Sequence, residues 1–375
     1  MGEAPKPPFR ADHVGSLLRP AALHEARAKA QKGEIGPAEL RAVEDAAIAD
    51  AVRLQEDAGL QAITDGEFRR SHYLVDFLTG FEGIVPTNTS YALAFKGEHG
   101  ESGETRSMLT VTEKVRRTRP VMVEAFRFLK ERTKRTPKLC LPSPTWIHMR
   151  GGRKTVDQGV YPDIEEFWAD IVRAFHEEIA DLAAAGCTYL QLDEISFAFL
   201  CDATIRERMR GDGLNPDAEA RRYAAVVNAI AAGAPPSMTV TVHTCRGNFQ
   251  SMWMAEGSYD RVASEVFAQP DVDGYFLEYD SDRAGGFEPL RYVPKDKKVV
   301  LGLASSKRPE LESKDVLKRR IEEASQYFPL SQLCLSPQCG FASTHHGNRI
   351  TEDVEKRKLA LLVEVATEVW GSAAS

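Results

Sequence analysis

The sharpest chemical feature of the sequence is the tripeptide His243-Thr244-Cys245, which ends a β-like run. Side chains two residues apart on a strand point to the same side, so this imidazole and this thiolate can share one ion. Glu278 and Cys339 each end a predicted strand further along the chain. One nitrogen and two sulfurs favour Zn²⁺, with a fourth position that Glu278 can fill when substrate is absent.

A zinc site with two thiolate ligands suggests chemistry on sulfur. A free alkyl thiol has a pKa of about 8.5 and is mostly protonated at neutral pH. Coordination to Zn²⁺ removes that proton and keeps a bound thiol nucleophilic, whereas hydrolysis is better served by a more electrophilic metal. From residue types alone a second interpretation stays open, in which these cysteines bind no metal. A cysteine at a strand end is often a buried residue that only packs against its neighbours.

The elements that must position these residues are short apolar runs alternating with helical patterns. The predicted strands cover residues 11–16, 60–67, 138–144, 189–194, 238–245, 274–280, 298–305 and 333–340. The clearest predicted helices cover 37–58, 162–185, 216–232, 313–327 and 352–370. This alternation predicts the α/β class and a (β/α)₈ TIM barrel. A doubly wound sheet is the alternative, but the sequence has no GxGxxG or GxxxxGK[ST] turn.

One segment is too long for a simple connection between strands two and three. Residues of about 68–135 contain a polar, glycine-rich stretch at 96–107 between two β-like runs. We expect an inserted hairpin there, followed by a helix at about 118–133. Residues 1–8 are predicted to be a disordered tail, and residues 9–375 a single catalytic barrel domain.

Composition limits the classes of partner. The chain has 375 residues, a formal net charge of −7 and 43% hydrophobic residues, which predicts a globular protein that does not bind nucleic acid. No run approaches the roughly 18 to 20 apolar residues that span a bilayer, and we expect no membrane association. The six cysteines lie far apart, which predicts reduced thiols and a cytoplasmic protein.

A set of motifs in a fixed order connects these features to a known family. The motifs are ADHVGSLLRP, TDGEFRR, LPSPTWIHMRGGR, QLDEI, VHTCRGN, LEYDSDR, LGLASSKRPELESKD and SPQCGFAS. Together they resemble the catalytic, C-terminal half of cobalamin-independent methionine synthase. The chain is more similar still to short single-barrel relatives that lack the N-terminal domain of that enzyme.

The resemblance implies a set of functional residues. The zinc ligands of the family fall on His243, Cys245, Glu278 and Cys339. The carboxylates that hold the amino group of homocysteine fall on Glu67 and Asp193, and the turn that receives its carboxylate falls on Val14-Gly15-Ser16. The implied reaction is in-line attack by a zinc-bound thiolate on an alkyl carbon, which transfers a methyl group to sulfur.

The sequence departs from the family after strand seven. The long enzyme has a histidine there as the proposed acid for the leaving group, whereas this chain has Ala304-Ser305-Ser306-Lys307. Lys307 is a candidate replacement as an acid or as a contact to an anion, and the two histidines of the SPQCGFASTHH stretch, His345 and His346, are further candidates. With the N-terminal domain absent, the donor can be methyltetrahydrofolate or a methyl-corrinoid, the latter with a corrinoid protein as partner.

Three further residues are assigned to substrate binding near the strand ends. His13 follows the first predicted strand and is expected to orient substrate, while Arg150 can bind an anionic group. Trp146 can stack on a flat donor, although packing is the more usual role for a tryptophan and is the one favoured here.

Two other functions remain open from the sequence. One is a zinc-dependent alkyltransferase that joins a thiol similar to coenzyme M to an epoxide or another alkyl donor. The carboxylates Glu67 and Asp193 make this function less favoured, because the sulfonate group of such a thiol would be bound better by arginines. The other is a zinc-binding protein without catalysis, in which four protein ligands close the metal site.

Overall fold

In a computed structural model that describes residues 6–98 and 100–375, helices alternate with parallel strands, as expected for the α/β class. Residues 1–5 of the predicted tail lie outside the described residues. The strands are β1 (Ala62–Ile63), β2 (Glu82–Gly97), β3 (Gly100–Arg116), β4 (Thr136–Pro137), β5 (Leu139–Pro142), β6 (Tyr189–Asp193), β7 (Thr239–Thr244), β8 (Gly274–Glu278), β9 (Lys298–Ala304) and β10 (Leu333–Pro337). The α-helices are α1 (Ala21–Gln31), α2 (Pro37–Asp57), α3 (Val75–Leu78), α4 (Val123–Lys130), α5 (Thr145–Met149), α6 (Ile164–Ala184), α7 (Ile195–Phe199), α8 (Ala203–Gly211), α9 (Pro216–Ala231), α10 (Ala263–Val266), α11 (Lys314–Ser325) and α12 (Glu352–Trp370).

Strands β5 to β10 form one parallel sheet in which spatial order follows chain order. A doubly wound sheet reverses its strand order at a switch point, and this sheet has no such reversal. Strand β1 pairs in parallel with β4, which leads directly into β5. Because all these strands run the same way, their carboxyl ends lie at one edge of the sheet.

The first predicted strand, residues 11–16, is wrong as an extended element. Only Ala11 forms a bridge, to Leu335 of β10, and Asp12 donates its N–H to the Leu335 carbonyl at 3.0 Å. The chain then turns at Gly15, whose φ of +136° is strongly unfavourable for residues with a side chain. These residues therefore form a loop at the sheet edge.

Most predicted strands end later than the observed ones. The strand predicted at 333–340 corresponds to β10, which ends at Pro337. The strand predicted at 274–280 corresponds to β8, which ends at Glu278. Polar residues that end an apolar run belong to the following loop, so runs read from the sequence overestimate strand length. The helices match more closely, since capping residues mark their ends.

Helix α2 illustrates this local control. Pro37 occupies its first position, and the Gly36 N–H donates to Oε2 of Glu39 at 3.0 Å. Gly59 follows its C-terminal end with φ of +93°. Over the described ranges, no helix is both long enough and apolar enough to span a membrane.

The segment between β1 and β4 contains an antiparallel hairpin, β2 and β3, followed by α4. Its end is attached to the loop after β7. Lys96 and Trp253 exchange two backbone hydrogen bonds of 2.7 and 2.8 Å, and the rings of Phe95 and Phe249 stack with centroids 4.9 Å apart. The hairpin therefore reaches the edge of the sheet where the strands end.

Alternation along β6 shows how the sheet separates apolar packing from polar function. Leu190 and Leu192 join the main hydrophobic core. On the opposite face, Tyr189 donates to Asp12 at 2.8 Å, and Gln191 donates to Oδ1 of Asp193 at 2.7 Å. Since side chains alternate between faces, Asp193 must lie on the polar face at the end of the strand.

We predict that Phe175→Ala reduces the free energy of unfolding by about 3–5 kcal/mol, because it leaves a cavity in close-packed surroundings. Phe175 is fully buried on α6 and packs edge-on against Phe77 and Phe81, with ring centroids 5.4 and 5.6 Å away. Equilibrium unfolding in urea measures the change. Leu330→Ala is the control, since Leu330 is exposed and its loss should cost at most about 0.5 kcal/mol. Equal losses in both variants would contradict this packing.

Candidate metal and substrate site

Four potential metal ligands meet at the carboxyl edge of the sheet. His243 lies on β7, Cys245 follows β7, Glu278 ends β8 and Cys339 follows β10. One ligand atom from each lies within 4.8 Å of the others. The sulfurs of Cys245 and Cys339 are 3.4 Å apart. Two thiolates on one tetrahedral Zn²⁺ at about 2.3 Å would be separated by about 3.8 Å, so little adjustment is needed.

The hydrogen bonding of these side chains fits a cation. His243 and Glu278 are buried, yet within the described residues neither ring nitrogen of His243, nor Oε2 of Glu278, has a hydrogen-bond partner. Buried polar atoms are normally paired, because an unpaired one loses its hydration without compensation. A divalent cation among these atoms would satisfy all three, and the His, Cys₂ and Glu donors suit Zn²⁺.

Neighbouring groups fix the ligands. The backbone N–H of Arg246 donates to Oε1 of Glu278 at 2.9 Å, and Asn248 donates to the Gly340 carbonyl at 2.6 Å. The second bond ties the loop after β7 to the loop after β10. It therefore holds the loops that carry Cys245 and Cys339 together, as a shared ion requires.

The pKa values of the two thiols are shifted in opposite directions, upward for Cys245 and downward for Cys339. A hydrogen bond from the Cys245 thiol, together with the nearby His243 imidazole, holds the pKa of the Cys339 thiol well below its usual range. The thiolate form of Cys339 is therefore favoured, although the residue is buried. A site that already holds one anionic sulfur attracts a divalent cation more strongly.

A second cluster contains the two carboxylates expected to hold an amino group. Ligand atoms of Glu67, Asp193 and Cys140 also lie within 4.8 Å of one another. Burial raises the pKa of Glu67 to about 7, with Asp193 adding to the rise and Arg70, its ion-pair partner, opposing it. Burial likewise raises the pKa of Asp193. Paired carboxylates that are costly to ionise are stabilised by an incoming cation.

Gly15 permits the close approach to this cluster of the loop that precedes α1, residues 10–17, which we call the first loop. A Cβ atom at Gly15 would lie 2.7 Å from both Sγ of Cys140 and Oε1 of Glu67. Glu67 itself has φ of +61°, and its N–H donates to Oδ1 of Asp65 at 2.8 Å. Such a backbone conformation is costly for a residue with a side chain, and here it directs the carboxylate toward the second cluster.

Both clusters open into one cavity of about 700 Å³, including its open mouth. The predicted site residues that line it are Val14, Ser16, Glu67, Trp146, Asp193, His243, Cys245 and Cys339. Trp146 is buried and meets Phe199 edge-on at 5.1 Å, so it both packs and forms the wall. Phe95 and Phe249 complete the wall at the hairpin side.

The structure places other candidates elsewhere. His13 is buried below the cavity wall with Nε2 3.2 Å from the Ala62 carbonyl, and burial lowers its pKa to about 4. Arg150 lies 4.0 Å from the Trp146 ring, behind a residue that lines the cavity. Among the described residues, neither His13 nor Arg150 lines the cavity.

The three candidates for the missing acid also lie outside this cavity. His345 and His346 are exposed, with their rings 3.9 Å apart. Lys307 is buried and lines a neighbouring cleft, and its ammonium has no hydrogen-bond partner in the part of the chain that is described. Its charge favours ionisation of Glu278, whose pKa is raised by burial.

Sequence reasoning missed two arginines that organise the site, Arg19 and Arg246, whereas Arg70 could be expected to pair with an acidic neighbour from its position beside Glu67. Buried Arg19 donates to the carbonyls of Ala342, at 2.9 Å, and Glu67, at 3.0 Å, and so joins two loops. Arg70 is paired with Glu67 inside the cavity. Arg246 is fully buried, with its guanidinium 4.5 Å from the Tyr259 ring. The signal in the sequence that could have identified Arg19 and Arg246 is their position, one to three residues from the predicted site residues Ser16 and Cys245.

The site places this chain in a class of proteins with a mixed α/β fold. In this class, one histidine, two cysteines and one glutamate form a possible metal site next to a pair of carboxylates. A family model described as cobalamin-independent synthase, catalytic domain, matches residues 9–368. The chain belongs to this family, the catalytic domains of cobalamin-independent methionine synthases, which act as methyltransferases on homocysteine in methionine biosynthesis.

Individual relatives agree with this assignment. Protein YxjH of Bacillus subtilis (strain 168), which is described as uncharacterized, is 43% identical over 97% of this chain and 96% of its own length. A 5-methyltetrahydropteroyltriglutamate–homocysteine methyltransferase of Synechococcus sp. (strain JA-2-3B'a(2-13)) is 24% identical over 89% of this chain. The match covers only 40% of that longer protein.

Two solved structures are similar over nearly their full lengths. The putative vitamin-B12 independent methionine synthase of Listeria monocytogenes has a TM-score of 0.76 and 36% identity, covering 97% of this chain and 99% of that one. The B12-independent methionine synthase of Shewanella sp. W3-18-1, solved with selenomethionine, has a TM-score of 0.70 and 20% identity, covering 96% and 98%. At that identity the second likeness shows the fold alone.

We predict that the protein binds one equivalent of Zn²⁺ and that Cys339→Ser weakens this binding by more than about 100-fold. Loss of an outer hydrogen-bond partner alone commonly costs 10–100-fold, and loss of a ligand should cost more. Competition with a chromogenic chelator measures the affinity. Cys187→Ser is the matched control, because Cys187 is buried in the loop between α6 and β6 and donates to the Tyr189 carbonyl. Equal affinities in the two variants would remove Cys339 from the site.

Proposed function

We propose that this protein transfers a methyl group to the thiol of homocysteine to give methionine, with Zn²⁺ as its cofactor. One observation carries the proposal: the His243, Cys245 and Cys339 ligand set and the Glu67 and Asp193 pair face the same cavity. A metal cluster alone is compatible with a structural zinc. The carboxylate pair beside it supplies a place for the amino group of a thiol amino acid.

The residues have distinct roles in this proposal. Zn²⁺ held by His243, Cys245, Glu278 and Cys339 would keep the substrate sulfur as a thiolate. Ionised Glu67 and Asp193 accept hydrogen bonds from the substrate ammonium. In the described chain, no hydrogen bond engages the N–H groups of Gly15 and Ser16, which can receive the substrate carboxylate. As the S–CH₃ bond forms, the bond from the methyl group to the donor breaks.

The donor in this proposal is methyltetrahydrofolate or a methyl-corrinoid, the latter delivered by a corrinoid protein. Trp146 offers an aromatic wall to a flat donor in the cavity. Lys307, from the adjacent cleft, is assigned as the acid or anion contact for the leaving group. A reducing cytoplasm, which keeps thiols as free cysteines, suits this chemistry.

We further infer that residues 9–375 form one closed (β/α)₈ barrel. The edge of β10 bonds to the first loop, where Leu335 N–H donates to the Arg10 carbonyl at 2.8 Å. From the same loop, Leu17 N–H donates to the Gly66 carbonyl at 3.1 Å, just after β1. Strand β1 in turn pairs with β4. These bonds support a continuous ring in which the first loop replaces a strand.

An alkyltransferase for a thiol similar to coenzyme M is the second candidate, and Arg70 is the observation that favours it. Arg70 lines the cavity and could contact a sulfonate. Its guanidinium, however, is already paired with Glu67. Two carboxylates against one paired arginine leave a net negative environment, which favours an ammonium over a sulfonate.

Zinc-loaded protein should form methionine from homocysteine with methyltetrahydrofolate or methylcobalamin, and Cys245→Ser should abolish the product. The serine hydroxyl is a poorer soft-metal ligand than a thiolate. Mass spectrometry of the product measures the reaction, with Cys187→Ser as the active control. Formation of a thioether from 2-mercaptoethanesulfonate, without methionine, would instead establish the second candidate. With neither donor nor thiol active, the proposed function fails.

X-ray absorption at the zinc edge separates a catalytic site from a closed, purely structural one. Addition of homocysteine should replace one oxygen ligand, from Glu278, by sulfur. The physical reason is that Zn²⁺ prefers a thiolate to a carboxylate in a site of this type. Unchanged zinc coordination at saturating homocysteine would favour a zinc-binding protein without catalysis.

Methionine affinity should fall as the pH drops below about 7, by up to about tenfold per pH unit. Glu67 has its pKa raised to about 7, so it is ionised above that pH and protonated below it. Only the ionised carboxylate pairs well with the ligand ammonium. Methionine is used because it has no thiol to titrate. Calorimetry across pH 5.5–8.5 should show a flat, weaker profile for Glu67→Gln and an unchanged profile for Glu124→Gln, an exposed control. A wild-type profile without this slope would remove Glu67 from the ammonium site.

A further inference from the structure

A second cavity lies between the inserted hairpin and the loops at the sheet edge, and we call it the hairpin-side cleft. It measures about 1080 Å³ including its open mouth. Its walls are the end of the hairpin, the loop 250–253 after β7, and residues from the loops after β8, β9 and β10. Unlike the first cavity, it is lined by several cationic side chains, namely Arg283, Lys307, Arg308 and Arg349.

Part of this positive charge is already balanced. Arg308 pairs with Glu98 of the hairpin, and Arg283 pairs with Asp280 on the loop after β8. Lys307 and Arg349 form no ion pair with any carboxylate whose side chain the structure describes. Glu310 also lines the cleft, so four cationic side chains are offset by three carboxylates, Glu98, Asp280 and Glu310. A small excess of positive charge remains, with Lys307 on the floor of the cleft and Arg349 on its exposed rim.

Lys307 is the observation that points to a ligand. Its side chain is only 6% exposed, and among the described residues its ammonium has no hydrogen-bond partner. A buried ammonium with three donors and no acceptor is unfavourable unless an anion or water supplies the acceptors. The charge of Lys307 acts on Glu278 and the cysteine sulfurs, but a divalent cation at those ligands would largely neutralise them.

The cleft and the metal site share a wall. Residues Gly247 and Phe249 of the loop after β7 line the first cavity, whereas Gln250 and Trp253 of the same loop line the cleft. Arg283 also bridges the two, since it lines the cleft and lies 3.7 Å from Oε2 of Glu278. A molecule anchored in the cleft would thus be held next to the reacting sulfur.

We propose that the hairpin-side cleft binds an anionic group of the methyl donor, with Lys307 as its central contact and Arg349 as its rim contact. This deepens the proposed function and rests on it. The chemistry is an oxyanion, either a carboxylate or a phosphate. A glutamate tail on a folate and the phosphodiester of a corrinoid would both present such a group, and Lys307 and Arg349 can bind either.

The test measures binding of tetraglutamate and of inorganic pyrophosphate to the zinc-loaded full chain by calorimetry. We expect one of them to bind with one equivalent. Lys307→Met should weaken that binding by more than about tenfold, because it removes a desolvated charge and keeps an unbranched side chain that is only one atom shorter. Arg349→Gln should weaken it by about two- to fivefold, as is usual for a rim charge. Arg357→Gln, an exposed arginine of α12 paired with Asp353, is the matched control and should bind like the wild type.

The outcomes are separable. Binding of tetraglutamate alone supports a carboxylate-bearing donor, and binding of pyrophosphate alone supports a phosphate-bearing one. Binding of neither anion, or equal binding by wild type and Lys307→Met, would overturn the proposal. Replacement of zinc by Co²⁺ reports the thiol site independently, since homocysteine should change the cobalt spectrum of Lys307→Met as it does in the wild type. A wild-type spectrum that homocysteine leaves unchanged would count against the proposed function instead.

Discussion

The confinement of negative charge in a buried space is the constraint on which the rest of this structure depends. Cys245, Cys339 and Glu278 meet at the carboxyl edge of the sheet and are buried there, so hydration stabilises their anionic forms poorly. A divalent cation would bring the formal charge of the ionised ligand set from −3 to −1. The guanidinium groups of Arg246, which is fully buried, and of Arg283, 3.7 Å from Oε2 of Glu278, add further positive charge around the ligands. The metal site is thus one part of a larger arrangement of charges.

The same constraint recurs at the carboxylate pair. Glu67 and Asp193 are held close together and away from water, and only Arg70 among the described residues forms an ion pair with Glu67. Such a pair is poorly satisfied until a cation arrives, which makes an ammonium group the natural ligand. The two clusters therefore set two requirements for one ligand. It needs a sulfur atom for a metal at the first cluster and a positive charge for the carboxylates of the second. A thiol amino acid meets both demands.

Much of this arrangement could be predicted from the sequence, because motif order and strand-end position are local properties. His243, Cys245, Glu278 and Cys339 could be grouped since parallel strands bring their carboxyl ends together. The α/β alternation and helices such as α2 were predictable from periodicity and capping. The first strand was predicted wrongly from the local pattern of residues 11–16, whereas the family resemblance had already indicated a turn at Val14-Gly15-Ser16, where Gly15 has a positive φ.

Side-chain direction was beyond the sequence for a different reason. His13 and Arg150 sit beside residues that line the cavity, yet one lies against Ala62 and the other stacks on Trp146. A position at a strand end predicts that a residue lies near the site. Whether its side chain enters the site depends on the rotamer, which is set by packing. Arg19 shows the converse, since its contacts to carbonyl groups of distant loops depend on tertiary structure alone.

The close contact of the two sulfurs has a consequence for oxidation. At 3.4 Å, Cys245 and Cys339 need to approach by only about 1.4 Å to reach the length of a disulfide bond. An oxidant thus competes with the metal for the same electron pairs, and the thiolate character of Cys339 makes it the first sulfur to react. A cation bound at these ligands would both activate a substrate thiol and prevent the two cysteines from forming a disulfide.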